Sequence, residues 1–211
     1  NVSHELKTPL TSIKGFSETL RYVDDSETKN KFLNIIDKEA ERLTNLINDI
    51  LILSNIENLH KMENSNFSPK EVIENIIDIV RKQAEKSLIK IDFINDFNGE
   101  IIGSKDKFHQ LALNLIENAI KYSNENGNVK IIITTNDGYF ILKVIDDGIG
   151  IPKNDIPRIF ERFYRVDKSR STRGTGLGLA IVKHIVKLFN GDIIVDSKVG
   201  VGSTFTVKIK R

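Results

Sequence analysis

Between positions 32 and 53 the apolar residues recur at alternating steps of three and four: Leu33, Ile36, Ala40, Leu43, Ile47 and Ile50 form a stripe that Phe32, Leu46, Leu51 and Leu53 widen. That period belongs to an α-helix with a buried side, and this side is too broad for one partner helix to cover. The opening stretch NVSHELKTPLTSIKGFSETL carries a matching pattern, because at about 100° per residue Val2, Leu6, Pro9, Ile13, Phe16 and Leu20 fall in one narrow sector. A polar break at DDSE separates the two segments. Two helices joined by a short turn cannot bury such faces alone, so the economical solution is a homodimer whose two hairpins make a four-helix bundle. His4 points almost directly away from the shared seam, and Pro9 removes a backbone donor and leaves the Glu5 carbonyl without its usual helical partner.

The stretch LHKMENSNFSP is polar and rich in turn formers, and the pattern changes beyond it. It divides the chain into a helical hairpin over 1–60, a linker over 61–66 and a second domain over 67–211. In the second domain the sequence predicts a helix from Pro69 to about Glu85, a strand at IKIDFI, a helix from about Ser104 to Tyr122, and strands VKIIITT and YFILKVI joined at NDG. LGLAIVKHIVKLFNG reads as a further helix closed by Asn190 and Gly191, followed by strands DIIVDS and STFTVKIK around a glycine turn. Helices mixed with mostly antiparallel strands give the fold class: a multidomain chain, all-α in its hairpin and an α+β two-layer sandwich after it.

Composition narrows the partners. Lys and Arg number 31 against 29 Asp and Glu, a net charge of +2, so no strong field draws the chain to nucleic acid or to an anionic membrane. The basic string RSTRG has no interleaved aromatics and is not a nucleic-acid site. Cysteine is absent, which excludes disulfides and thiolate metal sites. No apolar run reaches the roughly 18 residues of a membrane span, so no direct membrane contact is expected of this fragment. Because the chain begins in mid-pattern without methionine, it reads as a cytoplasmic piece of a longer protein that is expected to be anchored in the cell membrane.

Four clusters carry chemistry. In HELKTP, His4 and Thr8 share a helix face, whereas Glu5 reaches His4 only through a suitable rotamer or from a neighbouring chain. An isolated His-Glu pair is more often an exposed histidine beside a kink. In HQLALNLIENAIKYS, Phe108, Leu111, Ala112, Leu115 and Ala119 form the buried stripe, and Asn114, Asn118 and Lys121 line one edge of it. Their amide oxygens can ligate Mg²⁺ without adding charge beside phosphates, and the lysine can neutralise those phosphates; satisfaction by backbone or solvent is an even alternative. In VIDDGIGIP a carboxylate at the end of a strand, Asp146, can accept from an exocyclic amine, with Gly148 and Gly150 allowing close approach to a flat ring. Asp-Gly by itself is usually a turn. In GTGLGLAIV, Gly174, Thr175, Gly176, Leu177 and Gly178 run straight into a helix, whose free N-terminal amides bind phosphate. It is neither a dinucleotide fingerprint nor a Walker loop.

Taken in this order, the clusters resemble the catalytic core of sensor histidine kinases over essentially the whole chain. HELKTP resembles the phosphoacceptor box, NLIENAIKYS the asparagine box, DDGIGIP and GTGLGLA the glycine boxes, and IFERFYRVD the phenylalanine box. The resemblance implies a dimerisation and phosphotransfer hairpin followed by an ATP-binding sandwich of the histidine kinase, gyrase and Hsp90 type. It implies autophosphorylation from ATP and Mg²⁺, with His4 as the nucleophile and Glu5 as the base that holds its other ring proton. Asn118 is implied as the Mg²⁺ ligand, Asn114 and Lys121 beside the phosphates, Tyr122 flanking the nucleotide and Asp146 reading adenine. Gly174, Gly176 and Gly178 would belong to a lid that Phe160 and Phe163 anchor, with Arg165 reaching the γ-phosphate. The phosphoryl group would pass to an aspartate of a response-regulator receiver domain, and Thr8 would serve a phosphatase activity towards that partner. The other readings are a catalytically inactive nucleotide-binding dimeric scaffold and a gyrase- or Hsp90-like ATPase. Against the last, Asn114 stands where those enzymes have a water-activating glutamate, and Glu117 lies nearer the outer face of its helix.

Overall fold

A computed structural model describes residues 2–58, 64–166 and 174–211. Half of the expected linker, 61–63, lies outside the described residues, as does most of RSTRG, and the linker's last two positions, Ser65 and Asn66, already belong to a strand. Helix α1 runs Val2–Thr19 with Pro9 inside it and ends in a 3₁₀ turn at Leu20–Tyr22; α2 runs Ser26–Asn58. The start of α2 is held by Asp25, whose carboxylate accepts from the Thr28 amide at 2.8 Å and the Glu27 amide at 3.3 Å, satisfying donors that a helix end leaves free. The Thr28 hydroxyl also donates to it, and these bonds hold the Asp25 carboxyl below its ordinary range. Near the turn, Phe16 and Phe32 meet with ring centroids 5.0 Å apart.

The broad stripe on α2 is divided among three neighbourhoods. Phe32 faces α1. Leu33, Ile47 and Leu51 stay 44–56% exposed. Leu53 and Ile56 are buried at the end of the helix that packs against the second domain.

The sandwich begins at β1 (Ser65–Phe67), followed by α3 (Pro69–Lys86), β2 (Lys90–Asn95), β3 (Ile101–Gly103), α4 (Lys105–Tyr122), β4 (Asn128–Asn136), β5 (Tyr139–Asp146), α5 (Gly178–Leu188), β6 (Asp192–Lys198) and β7 (Gly202–Lys210). Ser68 caps α3 ahead of Pro69, and Ser104 caps α4, each accepting from the amide three residues on. The end of α5 is closed by the amides of Asn190 and Gly191, bonded back to Lys187 and Val186. Five strands form one sheet in the order β2-β4-β5-β7-β6; β2 is parallel to β4 and the other pairs are antiparallel. A second, two-stranded sheet, β1 with β3, was not visible in the sequence pattern.

Alternation along β4 and β5 sends Val129, Ile131, Ile133, Phe140, Leu142 and Val144 to one side, all fully buried, while Lys130 and Lys143 point the other way. The covered side receives the stripe of α4, where Phe108, Leu111, Ala112, Leu115 and Ile116 are fully buried. Phe108 is the hub, with ring centroids 5.4 Å from Phe67, 5.8 Å from Phe140 and 6.4 Å from Phe189. Phe108→Ala therefore opens a cavity bordered by three rings that cannot all collapse inward, and is expected to cost about 3–5 kcal/mol, read from a denaturant midpoint.

Candidate active site

The packing of α4 presents one edge of that helix to the second glycine-rich segment. Asn114 donates its amide nitrogen to the Gln110 carbonyl at 2.9 Å, which turns Oδ1 towards Gly178 at the start of α5. Asn118 is half-buried one turn further on. Lys121 places Nζ 4.9 Å from the centroid of the Tyr122 ring and beside Gly174, where a Cβ would collide with it. The sequence-expected edge of Asn114, Asn118 and Lys121 thus faces Gly174–Gly178, and Tyr122, 40% exposed, lies at its end.

Asp146 ends β5 and is only 7% exposed. Its Oδ1 accepts from the amides of Gly148 at 3.0 Å and Ser203 at 3.2 Å, which leaves Oδ2 without a partner among the described residues. Burial pushes the carboxyl up, the two amides pull it down, and neighbouring Asp147 raises it further. Gly148 is required for contact: a side chain there would strike the Tyr122 carbonyl, which accepts from the Ile149 amide at 3.1 Å. Ile149 and Ile151, on either side of Gly150, are tied to the β6–β7 hairpin, through the Gly200 amide to the Ile149 carbonyl at 2.8 Å and the Ile151 amide to Ser197 Oγ at 2.8 Å. The loop after Asp146 is therefore fixed at both ends.

The segment from Gly174 to Gly178 is pinned by the phenylalanine-rich stretch. The Phe163 amide donates to the Gly176 carbonyl at 2.9 Å, and a Cβ on Gly176, at φ +75°, would run into the Phe163 backbone. Phe160 is half-buried with Lys183 Nζ 5.7 Å from its ring centroid, and Arg165 follows two residues after Phe163, also half-buried. Leu177 is fully buried, and its amide donates to Thr175 Oγ1 at 3.2 Å at the head of α5.

His4 is exposed on α1, and its backbone carbonyl accepts from the Thr8 hydroxyl at 3.2 Å. Glu5 lies 4.0 Å from Arg42 Nη2 on α2, and the other guanidinium nitrogen is 3.5 Å from Glu39. Val2, two residues before His4, lines a cavity with Ile50, Leu53, Phe163 and Leu177, so the N-terminal turn of α1 abuts the second domain.

Sequence reasoning missed the polar contacts between the two parts of the chain. Thr175 donates its hydroxyl to Asp49 Oδ2 at 2.5 Å, Arg162 bonds Glu57, and His184 Nε2 lies 3.4 Å from the same Glu57 carboxylate. His184 is held below its ordinary range by burial and by Arg162, Lys187 and Lys183. Asp49 and Glu117 are both pushed up, chiefly by burial, and the charge of Asp49 adds to the rise at Glu117. No group of three or more His, Asp or Glu side chains arranged to hold a metal occurs among the described residues. A hard cation at the α4 edge would rely on amide and phosphate oxygens, a donor set that fits Mg²⁺.

A sandwich with an asparagine edge, a buried strand-end carboxylate and a glycine segment running into a helix, joined to a helical stem bearing an exposed histidine, defines the catalytic core of a two-component sensor kinase. The chain belongs to the histidine kinase-, DNA gyrase B- and HSP90-like ATPase family over residues 103–211, and residues 1–59 match the His Kinase A phospho-acceptor domain. It is 39% identical to the sensor histidine kinase WalK of Bacillus subtilis over 213 residues, covering 98% of this chain and 35% of that protein. A Staphylococcus aureus sensor protein kinase WalK is 39% identical over 220 residues, covering 99% of this chain and 52% of the relative. The chain thus spans about a third to a half of the curated relatives it matches. Among solved structures, the Acinetobacter baumannii histidine kinase AdeS superposes with a TM-score of 0.79 at 27% identity, covering 98% of this chain and 97% of that one. Histidine kinase ThkA in complex with the response regulator protein TrrA superposes at 0.81 and 27% identity, covering 99% and 59%.

Proposed function

We propose that the chain is an autophosphorylating protein-histidine kinase core that takes the γ-phosphoryl group of ATP onto His4 and passes it to an aspartate of a response-regulator receiver domain. The observation that carries this reading is the cavity shared by Val2, Phe163 and Leu177, because it sets the helix turn of an exposed histidine beside the glycine segment of the ATPase-family domain. In the transfer, the lone pair of the neutral His4 imidazole forms a bond to the γ-phosphorus as the bond to the bridging oxygen breaks and ADP leaves; Glu5 holds the proton on the other ring nitrogen. In-line positioning and charge neutralisation supply most of the catalysis. Asp146 accepts from the exocyclic amine of adenine, Gly148 and Gly150 admit the ring, and Tyr122 flanks it. Lys121, Asn114 and the amides of Gly174–Gly178 hold the phosphates, and Arg165 reaches the γ-phosphate. Asn118 would hold Mg²⁺, which neutralises phosphate charge when bound.

Support for a homodimer comes from the apolar side chains that α1 and α2 leave half-covered, Leu10 at 58% and Leu51 at 56% exposed. Support for the receiver-domain partner comes from the resemblance to ThkA, solved with TrrA. Dephosphorylation of that partner with Thr8 orienting water, and membrane anchorage of the full-length protein, complete the proposal.

The test is incubation of the chain with MgATP labelled at the γ-phosphate. Label that stays on protein in alkali and leaves in acid is the expected result. Tight binding without label would favour an inactive scaffold, and steady phosphate release without label would favour a gyrase-like ATPase.

A further inference from the structure

We infer that Asp49, on the hairpin helix α2, is a positioning residue of the nucleotide site: its bond to Thr175 holds the glycine segment against α2, and its charge opposes entry of MgATP. This rests on the reading that Gly174–Gly178 and Lys121 hold the phosphates.

The bond joins residues 126 positions apart, and Thr175 Oγ1 has two engagements at once, donating to Asp49 at 2.5 Å and accepting from the Leu177 amide that leads into α5. Asp49 therefore acts on the first turn of α5 through a single hydroxyl. It is not an isolated surface contact. Leu53, one turn further along α2, is buried against Phe163 and Leu177, and Glu57, another turn on, receives Arg162 and His184.

The charge of Asp49 sits in a particular company. It is close enough to Glu117 on α4 to raise that carboxyl, Lys121 opposes the rise, and Lys121 in turn lies against Gly174. Asp49 on Thr175 and Lys121 on Gly174 thus flank the start of the glycine segment, where it meets the α4 edge. The Asp49 carboxylate, bonded to Thr175, lies beside the glycine segment and repels a polyanion held there, against the attraction of Lys121 and Arg165, so removing its charge shifts the balance towards binding. Because coupling between two binding events is reciprocal, a ligand that Asp49 repels also weakens the hold of α2 on the glycine segment. Nucleotide arrival and release of that segment from the stem are thereby linked through one side chain.

The test compares initial autophosphorylation rates of the full chain at varied MgATP for wild type, Asp49→Asn, Asp49→Ala and the charge control Asp78→Asn, whose exposed carboxylate pairs with Arg81 on α3. Asn keeps an acceptor for Thr175 and removes the charge, so KM for MgATP is expected to fall about 3–10-fold, a gain that shrinks as salt rises from low to about 0.5 M through screening. Ala removes the acceptor as well, so its kcat is expected to fall below that of Asn while its KM stays low. Asp78→Asn is expected to leave KM unchanged. A KM in Asp49→Asn equal to or above that of wild type, or a gain insensitive to salt, overturns the inference while wild-type labelling leaves the kinase reading standing. A wild-type chain that neither binds MgATP nor takes label overturns both.

Discussion

His4→Gln is expected to reduce covalent labelling from γ-labelled MgATP to background while nucleotide binding stays within about twofold of wild type. The imidazole offers a nitrogen lone pair at neutral pH; a carboxamide does not, because its nitrogen lone pair is delocalised into the carbonyl. The side chain is exposed on α1, and the bond from the Thr8 hydroxyl is accepted by the His4 backbone carbonyl, so the substitution removes chemistry without removing packing. A surface change of this kind shifts stability by less than about 0.5 kcal/mol. Mass spectrometry of alkali-stable phosphopeptides from both proteins gives the result directly. Phosphate retained on the variant at another residue would show that His4 is not the acceptor.

Asp146→Asn is expected to weaken MgATP binding by about 100-fold, which is about 3 kcal/mol, without lowering the thermal midpoint. Oδ1 is gripped by the amides of Gly148 and Ser203, so an asparagine must keep its oxygen there and turn its NH₂ towards the ligand. A donor then faces the exocyclic amine of adenine, another donor, where a charge-assisted bond stood before. Stability moves the other way. Burial raises the folded-state pKa of Asp146 above its unfolded value, so its ionised form opposes folding, and that cost is absent below the unfolded pKa and grows as pH rises towards and through the folded one. The neutral amide avoids it at pH 7. Titration calorimetry and a melting curve on the same sample measure both arms, and a variant that binds MgATP as wild type does would remove Asp146 from the adenine site.

These two residues also mark what could be read from the sequence. The stripe Phe108, Leu111, Ala112, Leu115, Ala119 follows the helical period, so α4 and its polar edge were visible together; Asp146 was visible because it ends an alternating strand and precedes two glycines. Local patterns of this kind leave a trace in consecutive residues. The β1–β3 sheet left none, since strands of three residues inside a polar stretch show no alternation to count. Nor did the contacts of Asp49 with Thr175 or of Glu57 with Arg162 and His184, which join α2 to residues more than a hundred positions away and have no periodic signature. The excess width of the α2 stripe was the one available signal that a neighbour besides α1 lay alongside. The pattern assigns that width to a second hairpin, but one of its residues, Leu53, turns to the second domain together with Ile56 beyond it.

That division of α2 has a mechanical corollary. Leu33, Ile47 and Leu51 project about 120–180° away from Leu53 and Ile56 around the helix axis, so the rod is greasy on two flanks near its lower end. A lobe that swings clear to reach a histidine or a visiting regulator uncovers aliphatic surface at about 1.5–3 kcal/mol per large side chain. Free drifting at the end of a tether is therefore the least favourable posture, and each departure from one berth has to finish in another.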